Sequence, residues 1–144
     1  MSSLVYSHDL GSLDFKCIHS WLATTYWSPG ISLERVEKGF RASTVVVGAF
    51  SSGLQVGAGR ALSDTTRFAY IADVFVDAEF RGRGIARQMT QMLLDHPLIA
   101  EADYCYLLTN DAQGVYKALG FEVPEIQGKL MRRPRPSNAT PRLR

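Results

Sequence analysis

Between Tyr70 and Asp95 the chain reads YIADVFVDAEFRGRGIARQMTQMLLD, and few architectures accept such a run. Tyr70 to Val76 is apolar apart from Asp73 and rich in aromatic and β-branched residues, the make-up of a buried strand. The turn Arg81-Gly82-Arg83-Gly84 follows. Ile85, Met89, Met92 and Leu93 then recur at spacings of three and four, which is one face of a helix. A strand passing through a glycine turn into a helix places unpartnered first-turn N–H groups, and the positive end of the helix dipole, beside the strand's end. The glycines let that backbone approach a ligand closely, and Arg81, Arg83 and Arg87 add positive potential. The expected result is a pocket for phosphate or diphosphate. The alternative is a solvated basic turn before an ordinary helix.

The spacing narrows the ligand. No G-x-x-x-x-G-K-[ST] run exists in the chain, so this is not a nucleotide P-loop. A dinucleotide fingerprint needs G-x-G-x-x-G opening a helix. Gly82 to Arg87 and Gly57 to Leu62 both lack the last glycine, and Glu101 and Asp103 precede the next strand rather than end it. What remains is R-x-x-G-x-A, Arg81 to Ala86. It resembles the acyl-CoA pyrophosphate loop of the GNAT superfamily of N-acyltransferases, [QR]-x-x-G-x-[GA]. The preceding Val74-Phe75-Val76-Asp77-Ala78 is similar to that superfamily's strand ending V-x-P, with Ala78 at the usual proline.

At 144 residues the chain is long enough for one domain with a real core. Its 46% hydrophobic and 21% charged residues are an ordinary globular balance, and a net charge of +2 is too small to point to nucleic acid. No apolar run approaches the roughly 18 residues of a membrane span. Met1-Ser2-Ser3-Leu4 lacks the order of a signal peptide. Cys17 and Cys105 sit in apolar surroundings, as buried free thiols of a reducing compartment do. A cytoplasmic protein with no membrane and no nucleic-acid partner is expected, as a monomer or homodimer.

In chain order, Leu4 to His8 reads as a short strand. Ser12 is a candidate cap for a helix running to about Thr24, with Leu13, Cys17, Trp21 and Ile18 inward. Ser28-Pro29-Gly30 breaks the chain, and Ser32 is placed to cap a second helix, Leu33 to about Phe40. Between them, Tyr26 and Trp27 are either a lid on the core or a substrate-facing wall. Thr44 to Phe50 and Leu54 to Leu62 read as a hairpin about Ser51-Ser52-Gly53, followed by a strand from about Arg67 to Val76. The helix after the glycine turn should end near His96-Pro97. Asp103 to Thr109 is the next strand, parallel to the Tyr70 strand because a helix joins them. Asn110 or Asp111 would cap a short helix, Ala112 to Leu119, ending at Gly120. Strands from Phe121 and over Gly128 to Arg132 would complete the chain. Residues 133–144 read as a disordered basic, proline-rich tail, leaving 1–132 as the single domain.

The order β-α-α-β-β-β-α-β-α-β-β is the superfamily's arrangement. It implies an α+β fold with a mixed, largely antiparallel twisted sheet of about six to seven strands and about four helices. Asn110 to Phe121 strengthens the resemblance, being similar to the family segment in which an asparagine precedes a helix carrying Y-x-x-x-G-F. The implied activity is N-acetyltransfer from acetyl-CoA, as co-substrate, to a primary amine of a small amine, amino acid or peptide. A lysine-like amine is neutral only about once in 10³ at pH 7, worth roughly 4–5 kcal/mol. The developing oxyanion needs a donor and the leaving thiolate needs a proton.

For these needs the resemblance supplies residues. Backbone groups of Val74, Phe75 and Val76 would pair with the pantetheine arm. The amides of Arg81, Gly82, Arg83, Gly84, Ile85, Ala86 and Arg87 would hold the pyrophosphate. Asn110 would hydrogen-bond the cofactor, and Tyr116 would touch it and protonate the leaving sulfur; its other reading is a core aromatic. Asp73, the one carboxylate from Phe68 to Val76, is a general base, an anchor for the substrate ammonium, or the strand's solvent-side residue. Tyr26, Trp27 and Tyr70 would line the acceptor pocket, with Tyr106 a weaker candidate. Cys105 lies mid-strand with no histidine near it in sequence, so core is favoured over covalent catalysis. His8, His19 and His96 have no metal-ligand spacing, and no metal is expected. The competing reading is a non-catalytic acyl-CoA-binding sensor or scaffold.

Overall fold

The computed structural model describes residues 3–125 and 128–136. Five strands, β1 (Leu4–Ser7), β2 (Val45–Ser51), β3 (Leu54–Ser63), β4 (Phe68–Val76) and β5 (Tyr104–Tyr106), lie side by side in chain order. β1 to β4 pair antiparallel and β5 joins β4 in parallel. The helices are α1 (Phe15–Leu22), α2 (Leu33–Arg41), α3 (Ile85–Asp95), α4 (Pro97–Ala100) and α5 (Gln113–Lys117). The α+β class and the largely antiparallel sheet are as expected, but the described residues hold five strands rather than six or seven. Phe121 to Pro124 is irregular and Gly128-Lys129 is a turn. Leu130 and Met131 are 63% and 92% exposed, so the apolar pair that suggested a last strand enters no sheet. Residues 126–127 and 137–144 lie outside the described residues, and with them most of the expected tail.

Each face of the sheet carries its own core. Val45, Val47, Ala49, Val56, Ala61, Ala69, Ile71 and Val76 pack with Ile85, Met89 and Leu93 of α3 and Ile99 of α4. On the other face Val46 and Ala58 pack with Ile18 and Leu22 of α1, Val36 and Phe40 of α2, and Leu13. Alternating positions of β2 thus serve opposite layers, as the period of two requires, while in β3 a register shift beside Val56 puts Val56 and Ala58 on opposite faces. Full burial of a side chain such as Leu93, Ile18 or Phe40 contributes about 1.5–3 kcal/mol each.

Local chemistry sets the connections. Ser52 (φ 51) and Gly53 (φ 81) form the two-residue β2–β3 turn, the left-handed pair whose twist suits a hairpin. The β3–β4 turn is held by Asp64 Oδ1, which accepts the amides of Thr66, Arg67 and Phe68 at 3.0, 2.9 and 3.0 Å. Those donors hold its carboxyl well below the usual range. Ser32 caps α2 as expected, accepting from the Arg35 amide. Ser12 caps nothing: it ends a 3-10 turn, and Asp14 caps α1 through the Cys17 amide. Ile18 and Leu22, rather than Cys17 and Trp21, are the buried residues of α1. Pro97 ends α3 by opening α4 at its first turn, where its missing N–H costs nothing.

Candidate active site

β4 and β5 pair only over Phe68–Tyr70 and Tyr104–Tyr106. From Ile71 to Val76 the β5-side edge of β4 has no strand partner among the described residues. The sheet therefore splits, and a strand edge with free amides and carbonyls lines the cleft. The expected strand Asp103 to Thr109 is cut to three residues for the same reason.

Asp73 stands where the split opens. Ala58 faces Phe75 and Arg60 faces Ala72, so Gly59 alone opposes Asp73 and Val74. This is a β-bulge, and Asp73 occupies it with φ 57. Ala69 and Ile71 point into the α3 layer, and strict alternation would send Asp73 there too. The bulge turns it to the other face instead and lets Val74 and Val76 resume the α3 side. On that face Arg60 Nε donates to Asp73 Oδ2 at 2.8 Å and Trp27 Nε1 donates to Oδ1 at 2.8 Å. The ion pair is largely buried, with side chains 21% and 14% exposed. The reading of Asp73 as a plain solvent-side residue is thereby corrected.

Arg60 was not among the residues expected at the site. Its Nη1 also donates to the Gly39 carbonyl and to Ser43 Oγ, at 3.4 and 3.3 Å, and its guanidinium lies over the Phe40 ring. A lone arginine inside the otherwise uncharged run Leu54–Leu62 is a signal that could have found it, since such a charge needs a partner.

The α1–α2 loop crosses the cleft. Trp27 ties it to Asp73 on β4, while Tyr26 Oη accepts the Asn110 amide from the β5–α5 connection at 3.2 Å. The two rings meet edge to face with centroids 5.0 Å apart and stay about one-third exposed. Tyr70 is partly buried; burial pushes its phenol up, with Asp73 adding and Arg60 opposing. Tyr116, on α5, is likewise raised by burial, then by Tyr26 and Asp111. Its ring packs edge to face on Phe121. Asp111 and Asn110 do not cap α5; Thr109 Oγ1 accepts the Ala112 amide just before that helix. Tyr106 stacks on Phe68.

At the other end of β4, Val74 and Val76 face one core and Phe75 the other, stacked on Trp21 at 5.5 Å. Their side chains are committed, which leaves backbone groups of Val74 and Phe75, and the Val76 amide, for the cleft. Arg81 folds back, donating from Nε to the Val76 carbonyl at 3.0 Å with its guanidinium over Phe75. Arg83 covers Phe80, and Arg87 is exposed. Gly82 (φ 80) and Gly84 (φ 77) are left-handed, and a Cβ on either would meet no heavy atom within 4 Å. Gly84 opens α3 without any side-chain cap, ahead of Ile85, Ala86 and Arg87. Ile85 is buried. Open space before uncapped amides, in a turn whose sequence carries Arg81, Arg83 and Arg87, fits a diphosphate.

Tyr26, Trp27, Tyr70, Asp73, Asn110 and Tyr116 thus lie along one cleft, with the Gly82–Arg87 turn at the far end of β4. A recess of about 240 Å³ lined by His8, Phe40, Arg41, Ser43 and His96 contains none of them. Among the described residues no group of three or more His, Cys, Asp or Glu is placed to hold a metal ion, and no helix is long and apolar enough to cross a membrane.

Residues 42–123 match the model of the acetyltransferase (GNAT) domain. No curated protein matches the chain. Among solved structures it is similar to a protein from Xanthomonas campestris described as belonging to the GNAT family, with 36% identity, a TM-score of 0.87, and coverage of 94% of this chain and 96% of that one. At fold level it is similar to glucosamine-6-phosphate N-acetyltransferase from Arabidopsis thaliana (15% identity, TM-score 0.66, 87% and 95% covered). The same holds for a Clostridium acetobutylicum acetyltransferase crystallised with acetyl-CoA (16% identity, TM-score 0.68, 93% and 96% covered). The split sheet, the bulged central strand and the open glycine turn sit inside the matched span, and the chain belongs to the GNAT acetyltransferases.

Proposed function

We propose that the protein transfers an acetyl group from acetyl-CoA directly to a primary amine. The observation that carries this is the pairing of an uncapped glycine turn with a strand edge that loses its neighbour at Tyr70. The first suits a diphosphate and the second an amide-bearing arm, and one β-strand joins them. Acetyl-CoA, when bound, supplies an activated acyl carbon. The chain's own part is to bind, orient and hold protons. Amides from Arg81 to Arg87 grip the diphosphate; the backbone of Val74, Phe75 and Val76 aligns the arm, and Asn110 adds a polar contact. Tyr116, an ordinary phenol protonated at neutral pH, is placed as the proton donor to the leaving sulfur; burial raises its phenol further. Each Asp73 oxygen already accepts one hydrogen bond. A free lone pair on each remains to anchor the acceptor's ammonium or to accept its proton. Tyr26, Trp27 and Tyr70 form the acceptor wall. On this reading residues 1–132 are one N-acetyltransferase domain followed by a basic tail.

The test is thermal. Acetyl-CoA should raise the Tm of the full chain by several degrees, since binding to the native state alone at 100 Kd contributes about 2.7 kcal/mol. Gly84→Ala should lower the ligand-free Tm slightly, because a left-handed non-glycine residue costs roughly 1–2 kcal/mol, yet keep most of the shift. Gly84→Glu should lose the shift. A melting curve indifferent to acetyl-CoA would overturn the proposal.

A further inference from the structure

Charge is divided along β4. Arg81, Arg83 and Arg87 stand at the Val76 end, where a diphosphate would lie. At the Tyr70 end the only guanidinium in contact with Asp73 among the described residues is Arg60, and it is committed four ways: to Asp73, the Gly39 carbonyl, Ser43 and the Phe40 ring. Turning Arg60 toward a substrate anion would strip a largely buried carboxylate of its counter-ion. Asp73, opposed by Arg60, acts on the Tyr70 hydroxyl together with Tyr26, and Tyr26 and then Asp111 act on Tyr116. At the acceptor end a largely buried carboxylate, Asp73, is therefore held beside an arginine that is already spent. The cleft also offers aromatic rings there: Tyr26 and Trp27, about one-third exposed, and Tyr70.

We propose that the acceptor is an amine on an apolar or aromatic carbon frame with no anionic group beside it, an arylalkylamine or alkylamine rather than an amino acid or a phosphorylated amino sugar. This rests on the acetyl-transfer reading above. A cationic amine meets Asp73 and the faces of the aromatic rings, both of which attract it. A carboxylate or phosphate on the same frame meets Asp73, whose contacting guanidinium is already committed and cannot turn to offset it. Such like-charge contacts are what discriminate between partners of equal size.

Matched pairs test this with the full chain at saturating acetyl-CoA, reading release of free CoA thiol: tyramine against tyrosine, tryptamine against tryptophan, glucosamine against glucosamine 6-phosphate. The amine should exceed its anionic partner in kcat/KM by at least about 30-fold for the aromatic pairs, the loss expected from an unpaired like charge. Asp73→Asn, checked for an unaltered acetyl-CoA shift in Tm, should raise KM for the amine and shrink that ratio to below about 5-fold. An anionic partner used as well as its amine, an undiminished ratio in Asp73→Asn, or no turnover of either member of any pair would each overturn the assignment. The acetyl-CoA shift separates the two readings. If it is intact while anionic acceptors win, only the acceptor class falls; if it is absent, the acyl-donor reading falls as well.

Discussion

Asp73 shows how one backbone dihedral directs chemistry. At φ 57 it adopts a conformation that costs a non-glycine residue roughly 1–2 kcal/mol, and it is offset by two charge-assisted hydrogen bonds of 2.8 Å. Without the bulge its carboxylate would enter the α3 core unpaired. In the proposed reaction Tyr116 has a simpler task, to keep a proton until it is needed. A phenol is protonated throughout the neutral range even at its ordinary value, and burial raises this one further. Tyr116→Phe keeps the ring against Phe121 and removes only the proton. We expect kcat to fall by roughly 10²-fold, in the range of general-acid effects, while the Kd for acetyl-CoA moves less than about 3-fold. Steady-state kinetics beside equilibrium binding would check this, and an unchanged kcat would remove Tyr116 from the reaction.

Among the elements, the β3–β4 turn decides whether the central strand is in register. Asp64 alone supplies the acceptor for three successive amides at the start of β4. Asp64→Ala leaves those donors to water and should lower Tm at neutral pH. The sign with pH follows from the depressed carboxyl. The stabilisation is present above the ordinary carboxylate range and disappears as acid protonates the folded form. The gap in Tm between the wild type and Asp64→Ala should therefore close as the pH falls below that range, and a gap that persists in acid would mean that the side chain works by some means other than its charge. The α1–α2 loop is the second decisive element. Its Trp27 and Tyr26 reach β4 and the β5–α5 connection respectively, so the cleft is bridged by side chains where the sheet no longer closes it.

For the molecule as a whole, both thiols report on packing. Burial pushes Cys17 and Cys105 up to about 11, with Asp14 and Asp77 adding at Cys17. The unfolded chain loses these protons near the ordinary thiol value while the native chain keeps them, so stability falls as pH rises from about 9 to about 11. Cys17→Ala/Cys105→Ala should show a shallower decline of Tm across that window, and equal slopes in buffered melts would reject the account. Much of this architecture was legible in the residues. The hairpin followed from Ser52-Gly53, α2 from the Ser32 cap, the strand–turn–helix from Tyr70 to Asp95, and the parallel β4–β5 pairing from the helix that joins them. The miss at Ser12 arose because a 3-10 turn led by Asp9 takes up Leu10 to Ser12, which leaves Asp14, as good a cap, to open the helix two residues on. The last strands were misread because a short apolar pair such as Leu130-Met131 has no period to distinguish edge from coil. Arg60 was overlooked for a different reason: its partner is thirteen residues away in sequence and adjacent only across the β3–β4 ladder. By itself, then, the order of residues determined the order of elements and the glycine turn, because turns, caps and periodicity are local. Which way Asp73 points, what neutralises it, and where β4 parts from β5 were decided only when strands met, because a bulge and a split are properties of pairing, and pairing is not contained in any one strand.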